Sequence, residues 1–290
     1  MAVIDGKLIA SGIQERIKQE ISAIEGRPPC LAVILVGDQG PSRIYVNRKT
    51  KACEDVGIQS IKRHLAPSVT EDALLKEIEL FNANTDVDGI LVQLPLPDHI
   101  DDKRITRWIS SKKDVDGFHP FNVGKMLIGE EDGFLPCTPL GIRTLIESTG
   151  ISLPGKHAVI VGRSNIVGKP LAAMLMQKGG GLDATVTVAH RHTSNLKGLT
   201  LQADVLVAAA GVPKMITADM VKEGAVVIDV GINRIEDLAK KSGSRLIGDV
   251  DFEAVKDKCA FITPVPGGVG PMTIAMLLQN TLKSYRLTHS

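Results

Sequence analysis

Short, continuous apolar runs alternate with amphipathic stretches along most of this chain. The apolar runs are about four to eight residues long and stop at glycine or proline, which is typical of buried parallel strands. The stretches between them repeat apolar residues every three or four positions, as helices do. This alternation predicts an α/β fold in which helices cover the faces of parallel sheets.

The predicted elements form two series. The first series alternates helix and strand, at residues 10–24, 30–36, 40–56, 58–65, 70–84 and 87–94. A helix predicted at 137–148 leads to the second series, with strands at 158–161, 184–189, 204–210 and 225–230, a helix at 171–176, and further strand candidates at 245–250 and near Phe261.

The chain of 290 residues is long enough for two domains. A final helix, predicted at 272–285, is assigned to the first domain. We therefore predict one domain from residues 1–138 plus 272–290 and a second, Rossmann-like domain from residues 139–271.

Composition excludes several classes of protein. A net charge of +1 gives no support for nucleic-acid binding, and no apolar run is long enough to span a membrane. The four cysteines are far apart and form no CxxC motif, so we expect them to be reduced and buried. Because the first residues have no signal or transit-peptide pattern, we expect a cytoplasmic protein.

The segment from His157 to Pro170 has the strongest local signal for a ligand. A strand ends at Gly162, a polar turn follows, and a helix begins near Gly168. The first amides of a helix are unsatisfied and favour a phosphate, and Arg163 and Ser164 add a cation and a hydroxyl. The two glycines are six positions apart, unlike GxGxxG, so an ordinary strand-to-helix turn is the alternative interpretation.

The end of the next strand bears on which dinucleotide would bind. An acidic residue there would bind the ribose 2′-hydroxyl of NAD, whereas a cation would accept the 2′-phosphate of NADP. The strand ends in His190, Arg191 and His192, which favours NADP unless Arg191 is simply solvated. Two histidines without a third ligand do not predict a metal site.

The helix predicted at 40–56 carries an unusual lysine. Tyr45, Lys49, Ala52 and Val56 fall on one stripe at helical spacing, so Lys49 is the charged member of a largely apolar face. Burial disfavours an ammonium ion, which would make Lys49 a proton-transfer group near neutral pH. The alternative is a lysine whose stem packs on the core while its amine stays in water.

Other polar residues could converge on this lysine. Gln93 follows the strand at 87–94 toward its carboxyl end, where ligands bind in parallel sheets. A carboxylate could come from either Asp114 or Asp116 in the Asp-Val-Asp-Gly turn, and the residues alone do not distinguish them. The proline- and glycine-rich loop 263–271 suits either close approach to a flat ligand or a stiff hinge.

Five motifs in order give the chain a wider resemblance, at Tyr45–Lys49, Val92–Pro97, Lys113–Phe118, Gly162–Pro170 and Pro266–Thr273. Together they closely resemble the bifunctional methylenetetrahydrofolate dehydrogenase/methenyltetrahydrofolate cyclohydrolase family in its stand-alone bacterial form. The resemblance implies two α/β domains flanking a cleft, one binding tetrahydrofolate derivatives and the other NADP. It also implies a homodimer.

The resemblance assigns the chemistry as well. Hydride transfer from 5,10-methylenetetrahydrofolate would give the 5,10-methenyl cation, which would then be hydrolysed to 10-formyltetrahydrofolate. Lys49 would be the main catalytic residue, with Tyr45 orienting the folate, Gln93 tuning Lys49 and Asp116 gripping the pterin. Further folate contacts are implied for Val92, Leu94, Pro266, Gly267, Gly268, Val269 and Gly270, and cofactor contacts for Gly162, Arg163, Ser164 and Ile232, to which Arg191 is added.

The chain departs from the family at a few positions. Arg191 occupies a position where the family often has serine, so it either strengthens the 2′-phosphate site or only replaces a hydroxyl.

Two other functions are compatible with parts of the sequence: a two-domain NADP-dependent dehydrogenase of a small acid, and a non-catalytic dinucleotide sensor. Neither explains why Lys49 lies on an apolar stripe.

Overall fold

The computed structural model describes residues 2–38, 40–237 and 243–289. Its strands are β1 (Ala2–Val3), β2 (Cys30–Val36), β3 (Gln59–Leu65), β4 (Gly89–Val92), β5 (His157–Val161), β6 (Thr185–Ala189), β7 (Val205–Ala208), β8 (Val226–Asp229), β9 (Asn233–Glu236), β10 (Ser244–Ile247) and β11 (Phe261–Ile262). Its α-helices are α1 (Gly6–Ser22), α2 (Gly40–Val56), α3 (Glu71–Ala83), α4 (Asp102–Trp108), α5 (Pro120–Ile128), α6 (Cys137–Glu147), α7 (Gly168–Leu175), α8 (Leu196–Thr200), α9 (Phe252–Val255) and α10 (Val269–His289).

The chain divides into two compact units. Unit 1 comprises Met1–Ala10 and Thr138–Thr273, and unit 2 comprises Ser11–Cys137 and Ile274–Ser290. The part of α10 after Thr273 therefore belongs to unit 2. No helix among the described residues is long and apolar enough to cross a membrane.

Unit 2 is built on a three-stranded parallel sheet in the order β3-β2-β4. All seven residues of the central strand β2 are buried, which explains its uninterrupted apolar sequence. Helix α3 packs its apolar face, including Leu74 and Ile78, against this sheet. Its amino end is capped by Thr70, whose hydroxyl accepts a hydrogen bond from the Ala73 amide.

Unit 1 contains a six-stranded sheet in the order β1-β11-β8-β7-β5-β6, in which every pairing is parallel. The chain runs from β5 to its neighbour β6 and then crosses back to β7 on the other side of β5. This reversal makes a topological switch point at the carboxyl ends of β5 and β7, the usual ligand position in such sheets. Strands β9 and β10 form a separate antiparallel hairpin.

The first ten residues lie in a different unit from the one predicted. The sequence alone places residues 1–10 in the folate domain. In the structure Met1–Ala10 belongs to unit 1, because β1 pairs with β11 and the Ile4 amide donates to the Ile262 carbonyl at 2.8 Å. Gly6 also lies so close to Gly268 that a Cβ on it would be 1.9 Å from that residue's carbonyl oxygen. A two-residue strand is too short to show as a pattern in the sequence.

Other differences concern the ends of elements. Helix α1 begins at Gly6 rather than residue 10, and α10 begins at Val269 rather than 272. The segment between β4 and α6, which showed no regular pattern, contains the short helices α4 and α5. The strand candidate at 245–250 forms β10 only as far as Ile247, in the hairpin and not in the main sheet.

Candidate functional site

Lys49 lies on α2 in unit 2 and is only 8% exposed. Its Nζ donates a hydrogen bond to Oε1 of Gln93 at 3.1 Å. Lys51, two residues further along the same helix, is exposed and forms an ion pair with Asp55 at 2.9 Å. The stripe in the sequence therefore separates a largely buried lysine from an exposed one.

The position of Gln93 is fixed from both sides. Its backbone amide donates to the Ile34 carbonyl at 2.9 Å, which continues the sheet one residue past β4. Its side-chain Nε2 donates to the Leu94 carbonyl at 2.6 Å, which leaves Oε1 directed at Lys49. Gln93 therefore acts as a fixed acceptor, and it holds one of the three protons of the Lys49 ammonium.

The two aspartates of the turn have different environments. Asp114 is 1% exposed and accepts hydrogen bonds from the amides of Phe118 and His119, at 3.2 and 2.8 Å, and from Nδ2 of Asn122 at 2.8 Å. Burial raises the pKa of this carboxyl to about 7 despite those donors. Asp114 therefore uses its acceptor capacity to build the turn.

Asp116 is coupled to the lysine. Burial raises the pKa of Asp116, while the positive charge of Lys49 acts in the opposite direction. Gly117 gives the turn its shape at φ +79°, and a Cβ there would be 2.5 Å from the Leu135 carbonyl carbon. Unit 2 thus brings together Lys49, Gln93 and Asp116.

Two residues that support the turn around Asp116 were not identified from the sequence. Asn280 on α10 donates through Nδ2 to the carbonyls of Val115 and Leu135, at 2.8 and 2.9 Å, and so ties the residue before Asp116 to the segment that packs against Gly117. Cys137 donates through Sγ to Val115 at 3.3 Å, and burial raises its pKa well above the usual value, so the thiol is neutral. An asparagine on the apolar face of α10 was the available signal for the first of these.

The remaining predicted folate residues of unit 2 lie close in the sequence to members of this group. Val92 ends β4 and is 7% exposed, and Leu94 packs on the core beside it. A small cavity next to β4 is lined by both of them together with Phe118 and the two turn aspartates. Tyr45 is half-buried one helical turn before Lys49.

The loop 263–271 belongs to unit 1. Pro266 is exposed, whereas Gly267, Gly268 and Val269 are buried and Gly270 is half-buried. Gly268 has no room for a side chain, since a Cβ would be 2.7 Å from Cβ of Thr263. Because Lys49 belongs to the other unit, contact of this loop with the folate stays a prediction.

The glycine turn of unit 1 depends on both of its glycines. Gly162 has φ +140°, and a Cβ on it would lie 2.1 Å from the Ala209 carbonyl oxygen, where β5 and β7 end together. A Cβ on Gly168 would lie 2.0 Å from the Gly162 carbonyl oxygen. The hydroxyl of Ser164 accepts from the amides of Val167 and Gly168, at 3.1 and 3.4 Å. The turn is therefore a close backbone cradle at the switch point, which fits the phosphates of a dinucleotide.

The other predicted cofactor residues present side chains to solvent. Arg163 and Arg191 are exposed, and Ile232 is 50% exposed after β8. Nε of Arg191 donates to Nε2 of His192 at 3.1 Å, which leaves the terminal nitrogens of the guanidinium for other partners. Within the described ranges, no group of three or more His, Cys, Asp or Glu side chains could hold a metal ion.

Comparison with known proteins gives matches over nearly the whole chain. Residues 4–116 match the family model for the tetrahydrofolate dehydrogenase/cyclohydrolase catalytic domain, and residues 136–289 match the model for its NAD(P)-binding domain. The bifunctional protein FolD of Protochlamydia amoebophila is 64% identical over 98% of this chain and 97% of its own length. The protein of the same name from Campylobacter hominis is 55% identical, with 98% and 97% covered.

Solved structures agree with these matches. The bifunctional FolD enzyme of Campylobacter jejuni superposes with a TM-score of 0.93 at 52% identity, covering 99% of each chain. The Trypanosoma brucei FolD enzyme, complexed with NADP cofactor and inhibitor, gives a TM-score of 0.94 at 38% identity, covering 99% of this chain and 98% of its own. These matches confirm the predicted two-domain α/β fold, and this chain belongs to the tetrahydrofolate dehydrogenase/cyclohydrolase family.

Proposed function

We propose that this enzyme oxidises 5,10-methylenetetrahydrofolate with NADP and hydrolyses the resulting 5,10-methenyl cation to 10-formyltetrahydrofolate. The observation that carries the proposal is the buried Lys49 amine, bonded to Gln93 and charge-coupled to Asp116. A dinucleotide sensor would have no use for this group in the catalytic domain.

The first reaction needs little general acid–base catalysis. When a hydride leaves the methylene carbon, the lone pairs of the two adjacent nitrogens stabilise the cation that remains. Positioning of the folate therefore accounts for most of the rate. Tyr45 would orient the ring system, and the Asp116 carboxylate would accept hydrogen bonds from the amino-pyrimidine edge of the pterin.

The second reaction needs proton transfer, because water adds to the cation and a carbon–nitrogen bond then breaks. Lys49 supplies the group for it: Gln93 fixes the direction of the amine, and burial removes competing water. An amine held in this way can take a proton from the attacking water and return one to the leaving nitrogen. The negative charge of Asp116 compensates the positive charge of the ammonium form.

For the cofactor we propose NADP rather than NAD. Gly162, Arg163 and Ser164 would hold the phosphates at the switch point, and Ile232 would contact the nicotinamide end. When bound, NADP supplies the ring carbon that accepts the hydride. Strand β6 ends without a carboxylate for a free 2′-hydroxyl, and Arg191 offers a cation for the 2′-phosphate. The Trypanosoma brucei relative is complexed with NADP.

The family resemblance also supports a homodimer and a cytoplasmic location for this chain. Sedimentation equilibrium would test the first, with twice the chain mass of 31.0 kDa as the expected result.

The reaction itself is tested by mixing the enzyme with 5,10-methylenetetrahydrofolate and NADP. Methenyl absorbance should rise and then decay as the cation is hydrolysed, while NADPH accumulates. A small-acid dehydrogenase would reduce NADP only when an acid is added, and a sensor would bind NADP without turnover. No change in the folate spectrum would overturn the proposal.

A further inference from the structure

Two buried aspartates at the carboxyl end of the unit 1 sheet have no part in the function proposed so far. Asp229 is the last residue of β8 and is 3% exposed, and Asp249 follows β10 by two residues and is 0% exposed. Carboxylates are seldom buried so deeply unless their hydrogen-bonding capacity is used in full.

The Asp249 carboxylate connects two loops. Its Oδ2 accepts hydrogen bonds from the amides of Ala210 and Gly211, which follow β7, at 2.7 and 2.8 Å. Its Oδ1 accepts from Nδ2 of Asn233 at 2.8 Å, at the end of the loop that follows β8. One side chain therefore sets the distance between the ends of two adjacent strands.

The Asp229 carboxylate holds Asp249 in place. Its Oδ1 accepts from the amides of Gly231 and Asp249, at 3.0 and 2.8 Å, and its Oδ2 accepts from the Val250 amide at 2.9 Å. Its own amide donates to Oγ1 of Thr263 at 2.7 Å, which joins the start of the loop 263–271 to the same network.

Glycines make the space for this pair of carboxylates. A Cβ on Gly248 would lie 1.7 Å from Oδ2 of Asp229, and a Cβ on Gly231 would lie 2.3 Å from Oδ1 of Asp249. The two carboxylates and the two glycines that make room for them form a single network, which no general requirement of a parallel sheet explains.

The loops that Asp249 connects lie beside the switch point. Gly162, at the end of β5, approaches Ala209, at the end of β7, and the next residues Ala210 and Gly211 are exposed. Strand β6, which carries Arg191, lies on the other side of β5. By the two-half organisation of such sheets, the adenosine end of the cofactor belongs over β5 and β6 and the nicotinamide end over β7 and β8.

We infer that Asp249, supported by Asp229, is a positioning residue that fixes the two loops receiving the nicotinamide end of the cofactor. The inference rests on the proposed use of NADP. Asp249 itself contacts neither reactant: it acts through the backbone of Ala210 and Gly211 and through Asn233, and so sets where the ring is held for hydride transfer.

The test compares Asp249→Ala with Asp249→Asn, since asparagine keeps an acceptor for the two amides and alanine does not. The matched control is Asp204→Ala at the amino end of the same sheet, where Asp204 accepts from the His157 amide at 2.9 Å and from Lys222 at 2.6 Å. Cyclohydrolase activity on added methenyltetrahydrofolate, which needs no cofactor, is measured in the same samples.

Because misplacement of a reactant by about 1 Å can reduce a rate by about a hundredfold, we expect Asp249→Ala to raise the KM for NADP and to lower dehydrogenase kcat, each by about tenfold. Cyclohydrolase activity and the KM for the folate should stay within about twofold, and Asp249→Asn should recover most of the loss. Asp204→Ala should lower the melting temperature but leave the KM for NADP unchanged.

An unchanged KM for NADP in folded Asp249→Ala, or a parallel loss of both activities, would overturn the inference. If that variant does not fold, Asn233→Ala breaks only the link to the loop after β8 and should raise the KM for NADP by about threefold. No effect of it would also overturn the inference. Failure of the wild-type protein to bind NADP would instead overturn the proposed function.

Discussion

The two units prepare their ligand sites in different ways. In unit 2 the proposed chemistry belongs to side chains removed from water: Lys49 is 8% exposed and bonded to Gln93, and burial raises the pKa of Asp116. In unit 1 the proposed binding belongs to backbone and solvent-accessible side chains, with Gly162 at its closest point and Arg163 exposed beside it.

The difference follows from what each ligand requires. A proton-transfer group works when its environment adjusts its charge and excludes water, so it must be buried and paired. A pyrophosphate is already fully charged and needs amide donors and cations that it can reach. Substitutions in unit 2 should therefore change the chemistry while leaving cofactor binding intact, and substitutions at the unit 1 turn should do the reverse.

The largest effect should come from Lys49→Met, which keeps the length and apolar stem of the side chain and removes the amine. Loss of a positioned acid–base group costs about 10²- to 10⁴-fold, and we expect about 10³-fold or more for cyclohydrolase. Hydride transfer should stay within about tenfold, because it depends mainly on positioning. Stopped-flow absorbance of the methenyl intermediate reports both steps.

The control for this variant is Lys51→Met on the same helix, where the lysine is exposed and pairs with Asp55. It should leave both activities unchanged, since an exposed ion pair contributes little. Equal loss of the two activities in Lys49→Met, with folate still bound, would contradict the division of labour between the steps.

In unit 1 the corresponding substitution is Gly162→Ala. The new Cβ would have to fit at φ +140° and 2.1 Å from the Ala209 carbonyl oxygen, so the turn must move. Backbone strain and overpacking together should cost about 4 kcal/mol in unfolding free energy, and NADP binding should be lost with the cradle. Urea denaturation and fluorescence titration with NADPH measure the two effects.

Gly155→Ala serves as the control in the same unit. Gly155 has φ +77°, but a Cβ on it would meet no atom within 4 Å, so only the backbone cost applies. We expect a cost of about 1 kcal/mol and unchanged NADP affinity. If the two variants behave alike, close approach to β7 is not what requires Gly162.

A pH-dependent effect should follow from the turn that carries Asp116. Burial raises the pKa of Asp114 to about 7 in the folded state, from 3.8 for an unperturbed carboxyl. The folded protein therefore holds this proton more tightly than the unfolded chain, and its contribution to stability is complete below about pH 4 and is lost as the pH rises through about 7. In Asp114→Asn this loss should be absent.

The measurement is the unfolding free energy of both proteins between pH 4 and pH 8. The stability of wild type relative to Asp114→Asn should fall by about 4 kcal/mol over this interval. Hydrogen bonds lost in the variant change the offset between the curves but not their relative slope. Parallel curves would show that Asp114 is ionised throughout, with an ordinary pKa.

How far the sequence could predict these sites depends on where the partners of each residue come from. Lys49 could be found because its stripe on α2 is local, and β2 because all of its residues are apolar. Asp114 and Asp116 could not be told apart, since the difference arises from the His119 amide and Asn122 beyond the turn.

Residues whose partners are backbone groups were harder still to predict from the sequence. Asp249 binds the amides of Ala210 and Gly211, which lie 39 and 38 positions away and have no side-chain signature. The pairing of β1 with β11 joins opposite ends of the chain through two residues each. In both cases only the closed sheet brings the groups together.

The smallest effect concerns the one cofactor residue that departs from the family pattern. Arg191 is exposed, and its bond to His192 uses only Nε. Replacement by serine should lower the preference for NADP over NAD by about five- to tenfold in kcat/KM, because a charge-assisted hydrogen bond to the 2′-phosphate is lost in a solvated place. The decrease should shrink at high salt.

Lys197→Ser is the matched control, since Lys197 is another exposed cation of unit 1 and bonds Asp219 at 2.5 Å. It should leave the preference unchanged. If Arg191→Ser also leaves it unchanged while Arg163→Ala abolishes it, the 2′-phosphate is held from the glycine turn alone. Discrimination between the dinucleotides would then depend on the same close turn that holds the pyrophosphate, and Arg191 would be a solvated replacement for a hydroxyl.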